Sequence, residues 1–500
     1  MSDLKFDDEA ALKLASAAFD AAKGGVSISA SDGNAIYSYL FSVFALGVGL
    51  IPGAGPLLGS MCGLLGAIVF PTKEDPNAVW NSVRPRIEAL IGEKLKDSQV
   101  KLLRQKVKGF ADNMKAFTRV FNDFEKAEGD NKARQGETLR THHTAFLAVL
   151  RAGIPEFQGE DYAVAALPLF TQAANMHLTL LADGVRNGET WGFTQDYISH
   201  SLQQEFDELT MSSSKRVRAL RSRDETSQVD ALKECIAAGE AAGWDQVLLD
   251  TWREALETLS KPTALTKRAT LTYTGYAKEY YQKGRGLVKP YTANYYSGDR
   301  GAAEALHFNA LSDYDAEMIK HVLTYAEFWP YLAGKKMPDS AKLALDREIF
   351  SGPYGRYTKN APWNIKTPPP IKPRQANITA IKTRHWDGID ALQVQYGGQW
   401  GHLFGDAKGG VEAMANLAFD EYIQSIDARY GQKLGQLTFF SNKDKTYGTY
   451  GKGVNAGNHT LVKHEGFGLS SMTITNWEKS IPPGTEGIIF GFRPLLATRG

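Results

Sequence analysis

The stretch Tyr162–Ala182, YAVAALPLFTQAANMHLTLLA, runs for twenty-one residues without an Asp, Glu, Lys or Arg. Leu, Ala, Met and Gln favour helix. At 1.5 Å per residue such a helix is about 31 Å long, close to the thickness of a bilayer's hydrocarbon core. It is not a plain span, because Gln172, Asn175 and His177 sit in its middle and Pro168 removes a backbone donor. A helix that is apolar all round belongs inside a bundle or a membrane. The buried core helix of an ordinary bundle and a helix that occupies both environments in turn both fit this composition.

Five hundred residues exceed what one core holds and imply two or three domains. The chain is 43% hydrophobic and 23% charged, as soluble globular proteins are. A net charge of +1 gives no global basic field, so no nucleic-acid partner is expected. Cys62 and Cys235 are too far apart in sequence for a metal-ligand motif or a disulfide framework. The start, MSDLKFDDEAALK, lacks a basic segment followed by an apolar one and does not read as a secretory signal. Release by lysis or another route is expected.

Residues 1–35 read as a polar leader. Gly33–Thr72 is forty residues without formal charge, broken at IPGAGP, and fits two short apolar helices as well as a membrane span. From Ala78 to Lys126 the pattern is helical with a break around 92–98. In its second part Val100, Leu103, Val107, Phe110, Met114, Phe117 and Phe121 recur at alternating steps of three and four. A polar loop is expected over 128–137. Thr138–Arg151 reads as an amphipathic helix with Leu139, Phe146, Leu147 and Leu150 inward and Arg140 to Thr144 on a polar side. Adjacent helical residues point about 100° apart. His142 and His143 are therefore expected as two solvated histidines, with no metal site. Further helices are expected from Gln195 to about Met211, over Leu271–Val288 and over Phe308–Trp329. Residues 212–268 read as extra helices, and 344–353 as a strand leaving the bundle.

Five blocks resemble the three-domain crystal delta-endotoxins. They are LPLFTQAANMHLTLLAD, NGETWGF, TYTGYAKEYYQKG, AEMIKHVLTYAEFWPYL and LDREIFSGP, in that family's order. GVGLIPGAGPLLG followed by KEDPNAVWNSVRPRIEALI is similar to its first two helices. The resemblance implies a helical pore-forming domain over 36–355, departing from the family by the insert at 212–268. It also implies that a hairpin of 138–151 and 162–182 enters the membrane. The residues assigned to that hairpin are Leu139, Phe146, Leu150, Leu167, Phe170, Gln172, Asn175, His177 and Leu180.

APWNIKTPPPIKP, with five prolines, reads as a stiff linker within 356–376. Beyond it come short alternating runs with Gly-rich turns, an all-β signature over 377–500. RHWDGIDALQV, RYGQKLGQLTF and HEGFGLSSMTI align without gaps at 384, 429 and 464, which implies a threefold internal repeat. DEYIQSIDARYG followed by NKDKTYGTYG resembles the jacalin-related lectins, which are β-prisms. No room is left for a third domain of the endotoxin type.

The lectin resemblance implies a sugar site made by a G-x-x-x-D loop and a Gly-Gly loop, where glycine lets the backbone approach the sugar. In the first repeat Asp390 occupies the Asp position, Gly409 and Gly410 follow downstream, and Trp386 replaces the motif glycine next to Asp387. Trp386 could stack on a sugar face or block the pocket. The second repeat keeps Gly431 but has Gly435 in the Asp position, and the third pairs Gly466 with Ser470. A purely structural turn or a protein-binding loop is the alternative.

G-x-S-x-G, P-loop and HExxH motifs are missing from the sequence, and the His464-Glu465 pair lacks the second histidine. The chain is expected to be neither an enzyme nor dependent on a metal or cofactor. The fold class expected is multidomain α and β, with a helical bundle around a central apolar helix and a C-terminal β-prism. The function expected is a pore-forming insecticidal toxin, soluble or crystalline in its producing bacterium and homo-oligomeric as a pore. Its partners are the target-cell membrane and a cell-surface glycan or glycoprotein. The alternative is a non-lytic lectin on a helical scaffold.

Overall fold

The computed structural model describes residues 77–210, 221–241, 246–259, 272–291, 300–333, 343–344, 347–357, 363, 365–373, 375–454, 456–464, 466–475 and 485–495. The expected leader and the uncharged segment 33–72 lie outside them. The described chain has a helical part followed by three antiparallel sheets.

Helix α1 (Ala78–Ile91) ends at Gly92, whose φ of +69° closes the helix in the left-handed region. Helix α2 (Asp97–Lys126) follows and buries the whole alternating row from Val100 to Phe121. Helix α3 (Gly129–Gly153) begins well before the expected start. The glycine-bearing stretch 128–137, expected as a loop, is its first turns. Gly136 serves packing there: a Cβ would lie 2.9 Å from the Trp191 carbonyl oxygen. Lys132 lies 4.0 Å above the Phe124 ring and donates to the Phe124 carbonyl at 2.7 Å.

Helix α4 (Ala163–Asn187) is the apolar element, and its residues from Ala163 to Gly184 are buried with Gln172 the exception. It packs against α1, α3, α5 (195–210, with a π turn at Ile198–Gln203), α8 (Tyr273–Leu287) and the turns over Ile319–Leu323 and Thr324–Ala326 that continue α9 (Arg300–Met318). The extra helices are α6 (Arg221–Ala241) and α7 (Gln246–Leu259), which lie across α2 and α3. His142 is 4% exposed and meets the Trp252 ring of α7 edge-on, while Arg140, Thr141 and Thr144 are half-buried. His143 is fully buried against α4 and the rings of Trp191 and Phe193, its Nε2 2.9 Å from the Leu180 carbonyl oxygen. The expectation of two solvated histidines is corrected: α7 covers one, and the packing of α3 on α4 covers the other.

The strands are β1 (Ile349–Gly355), β2 (Ile378–His385), β3 (Ile389–Tyr396), β4 (Gln399–Gly405), β5 (Val411–Asn416), β6 (Ile423–Tyr430), β7 (Leu434–Ser441), β8 (Thr446–Tyr450), β9 (Asn458–Lys463), β10 (Phe467–Thr475) and β11 (Gly487–Pro494), in sheets ordered β1-β11-β10, β4-β3-β2-β5 and β8-β7-β6-β9. Strand β1 (Ile349–Gly355) pairs with β11 (Gly487–Pro494), so the expected boundary at 355/356 falls at the edge of a sheet rather than between domains. The Pro-rich segment is tethered. Trp363 is buried between Phe308 and Phe350, and Arg285 donates to the carbonyls of Ile365 and Thr367. Arg285 is itself held by a bidentate pair with Asp315, at 2.7 and 2.9 Å.

The segments at 384–394 and 429–439 both cross a hairpin turn, from β2 (Ile378–His385) into β3 (Ile389–Tyr396) and from β6 (Ile423–Tyr430) into β7 (Leu434–Ser441). The segment at 464–474 does not. It lies on β10 (Phe467–Thr475), which pairs with β11 as β2 pairs with β3. The register shifts agree: Ile378/Ala380, Ile423/Ser425 and Leu469/Ser471. The third ungapped alignment is thus displaced by one strand, and Ser470 does not correspond to Asp390. Alternation of period two marks a buried face but carries no chain direction.

Candidate functional site

Two places carry the expected residues. The first is the α3–α4 hairpin. Leu139, Phe146 and Leu150 on α3 and Leu167, Phe170 and Leu180 on α4 are all at most 1% exposed. Most of the buried polar residues inside α4 have a hydrogen-bonding neighbour, as buried polar groups require. Asn175 accepts from the Trp329 indole N–H at 2.6 Å. His177 lies 3.0 Å from the Tyr273 hydroxyl and 3.4 Å from the Glu205 carboxylate. Thr171 and Thr179 bond to their own helix.

Glu205, on α5, also accepts from Arg151 at the end of α3 through a two-point pair. Burial pushes its carboxyl up, but Arg151 and His177 outweigh that and hold it well below the usual carboxylate range. Sequence reasoning missed Arg151, Glu205, Tyr273 and Trp329. Glu205, Tyr273 and Trp329 reach α4 from elements farther along the chain, and Arg151 acts on it through Glu205.

The second place is the end of the β2-β3 hairpin. Asp390 stands at the start of β3, and Gly409-Gly410 lead into β5 (Val411–Asn416) beside it. Gly410 has φ +55°, and a Cβ there would lie 2.4 Å from Asp390 Oδ2. Only glycine fits that approach. Arg384 holds the loop by donating from Nε to the Gly409 carbonyl at 2.7 Å and from Nη2 to that of Gly410 at 3.3 Å. Among the described residues no donor is bonded to the Asp390 carboxylate. Partial burial and the nearby Asp406 raise its pKa.

Trp386 is 58% exposed, with the Lys452 ammonium 4.6 Å above its ring. Lys452 also binds Asp387, through Nζ to Oδ1 at 3.0 Å and through its backbone N–H to the Asp387 carbonyl at 3.2 Å. The structure therefore brings Asp390, Gly409 and Gly410 together, ties Asp387 to the β8–β9 loop, and leaves Trp386 outward. Lys452 was not foreseen, being sixty-five positions from Asp387.

The chain matches the delta endotoxin, N-terminal domain, over residues 43–220 and the jacalin-like lectin domain over residues 351–474. It is 28% identical over 158 residues to the pesticidal crystal protein Cry1Db of Bacillus thuringiensis, a match covering 32% of this chain and 12% of that protein. It is 31% identical over 116 residues to Cry11Ba of B. thuringiensis subsp. jegathesan, covering 23% of this chain and 15% of that one. The chain thus matches only a small part of these relatives' length. In fold it is similar to the B. thuringiensis insecticidal crystal protein Cry7Ca1, with a TM-score of 0.57, 14% identity, and coverage of 93% of this chain and 76% of that one. It is also similar to PirB, with a TM-score of 0.55, 16% identity, and coverage of 91% and 94%. The chain thus joins a region similar to the delta endotoxin N-terminal domain to one similar to the jacalin-like lectin domain.

Proposed function

We propose that the protein is a pore-forming toxin of the insecticidal type, in which the α3–α4 hairpin enters the target-cell membrane and the sheet region selects the cell surface. The observation that carries this is α4 itself. It has membrane-span length, lies buried in the bundle, and its Asn175 and His177 meet partners on other elements. In water the bundle covers the apolar surface; in a bilayer, lipid takes that role, and polar residues of several hairpins line water. Leu139, Phe146, Leu150, Leu167, Phe170 and Leu180 face lipid or each other, and Gln172, Asn175 and His177 turn towards the lumen of a homo-oligomer.

The three sheets form the faces of a β-prism, and Asp390 with Gly409 and Gly410 is its glycan site. The carboxylate accepts from sugar hydroxyls, the Gly-Gly backbone closes over the ring, and Trp386 and Asp387 border it. A non-lytic lectin is the second reading, favoured by the assembled Asp390 pocket. Dye release from vesicles made with target gut-cell membrane lipids and glycoproteins separates the two. A pore former empties the vesicles, whereas a lectin binds them and leaves them sealed.

A further inference from the structure

We propose that α6 and α7 act as a cover that holds the hairpin closed, and that they must come off α3 before the hairpin enters a membrane. This rests on the pore-forming reading of α3–α4. A pore-lining helix keeps one polar face, and on α3 that face runs through Thr141, His142 and Thr144. In this chain α6 and α7 occupy it.

The contact is built in detail. Trp252 of α7 is 1% exposed and lodges between two helices: its indole N–H donates to the Asn113 side chain on α2, and its ring meets His142 on α3 at 6.2 Å. Cys235 of α6 is 4% exposed, with its sulfur 3.6 Å from the Thr141 carbonyl oxygen. Leu232, Ile236 and Ala255 are buried in the same hydrophobic core. Gly109 of α2 lets α7 approach, since a Cβ there would lie 2.7 Å from Thr251. Lys106 of α2 pairs with Glu254 of α7 at 2.7 Å. The two cover helices are joined to each other by Arg253 and Glu240 at 2.5 Å.

The consequence is mechanical. With the cover on, α3 is packed on α4 from one side and on α6–α7 from the other, so His142 and the Thr141 carbonyl are shut off from water in a lumen. The cover also bridges α2 and α3, so the hairpin cannot part from α2 without breaking the Trp252 contacts. The cover is continuous with the chain at both ends and can swing aside without being lost.

Cys235 reports on this seam. In the full-length chain carrying Cys62→Ser, its labelling by a water-soluble maleimide is followed on vesicles together with dye release. Burial raises the thiol pKa to about 11, which adds to its protection in solution. The expected result is protection in solution, then at least tenfold faster labelling on vesicles, no later than the onset of leakage. Complete leakage with Cys235 as protected as in solution overturns the cover and leaves the pore reading standing. Vesicles that bind the protein and never leak overturn the pore reading, and the cover with it. Trp252→Ala gives a second measure. It should shorten the lag before leakage at least threefold, compared with a β-sheet variant such as Phe439→Ala matched in thermal stability. An equal lag in the two contradicts the proposal.

Discussion

Asn175, at the middle of the apolar helix, accepts a 2.6 Å hydrogen bond from the indole of Trp329, 154 positions later in the chain. Both side chains are at most 2% exposed. Replacing Asn175 by Leu suits the apolar helix but leaves the Trp329 N–H buried without its acceptor. The expected loss is about 1–3 kcal/mol of unfolding free energy, measured in urea. Trp329→Phe in the same background should cost less than it does in the parent, since the hydrogen bond is already lost and the change removes the orphaned donor.

Arg151 and Glu205 join α3 to α5 through a two-point pair, with His177 of α4 against the same carboxylate. Glu205→Ala leaves Arg151 uncompensated in a mostly buried place and should destabilise the protein by about 3 kcal/mol. Replacing both Arg151 and Glu205 with apolar residues should cost less than the sum of the single changes. The double-mutant cycle reads that difference directly.

At the sheet tip, Gly410→Val would place a Cβ 2.4 Å from Asp390 Oδ2 on a backbone at φ +55°. It should abolish glycan binding while leaving the helical part intact. Asp390→Asn keeps the shape and removes the charge that strengthens bonds from sugar hydroxyls. Affinity should fall about tenfold, roughly 1.4 kcal/mol, in a glycan titration. The raised pKa of Asp390 moves its protonation into less acid solution, so parent binding should begin to weaken above the usual carboxylate range as pH falls.

His464 sits where the sheets meet the helices, its Nε2 2.7 Å from the Ser351 hydroxyl and its ring against Phe492. Burial, helped by Lys320 and Arg86 and opposed by Glu317, pushes its pKa down to about 3. The unfolded imidazole takes a proton below 6.5 and the folded one does not until about 3. The unfolded state therefore binds more protons in that window, and stability falls as pH drops through it. Between pH 7 and pH 5 the share of this histidine is about 2 kcal/mol. Unfolding of His464→Gln at the two pH values should show a loss smaller by that amount.

What the sequence revealed was local in character. The period of α2 and the uncharged run of α4 are written in consecutive residues, whereas Gly409-Gly410 beside Asp390 was expected only through the resemblance to jacalin-related lectins. The hidden features depend on distant chain. His142 is covered by Trp252 of α7, His143 by Phe117, Leu180, Trp191 and Phe193, and the partners of His177 come from α5 and α8. Strand β1 found its place through Ile349 opposite Phe492, a pairing that no short window contains. Gly136 was misread because a glycine that admits a neighbouring carbonyl looks the same in sequence as one that turns the chain.

The most direct test of membrane entry by α4 uses Gln172, the half-buried residue in its middle. A fluorophore is attached at Gln172→Cys in a chain lacking Cys62 and Cys235, and vesicles carry a nitroxide quencher deep on the lipid tails. If the hairpin enters the bilayer, emission should be quenched in step with dye release, with no quenching for the protein in solution. Full dye release with the emission untouched by the tail-borne quencher would contradict insertion of α4.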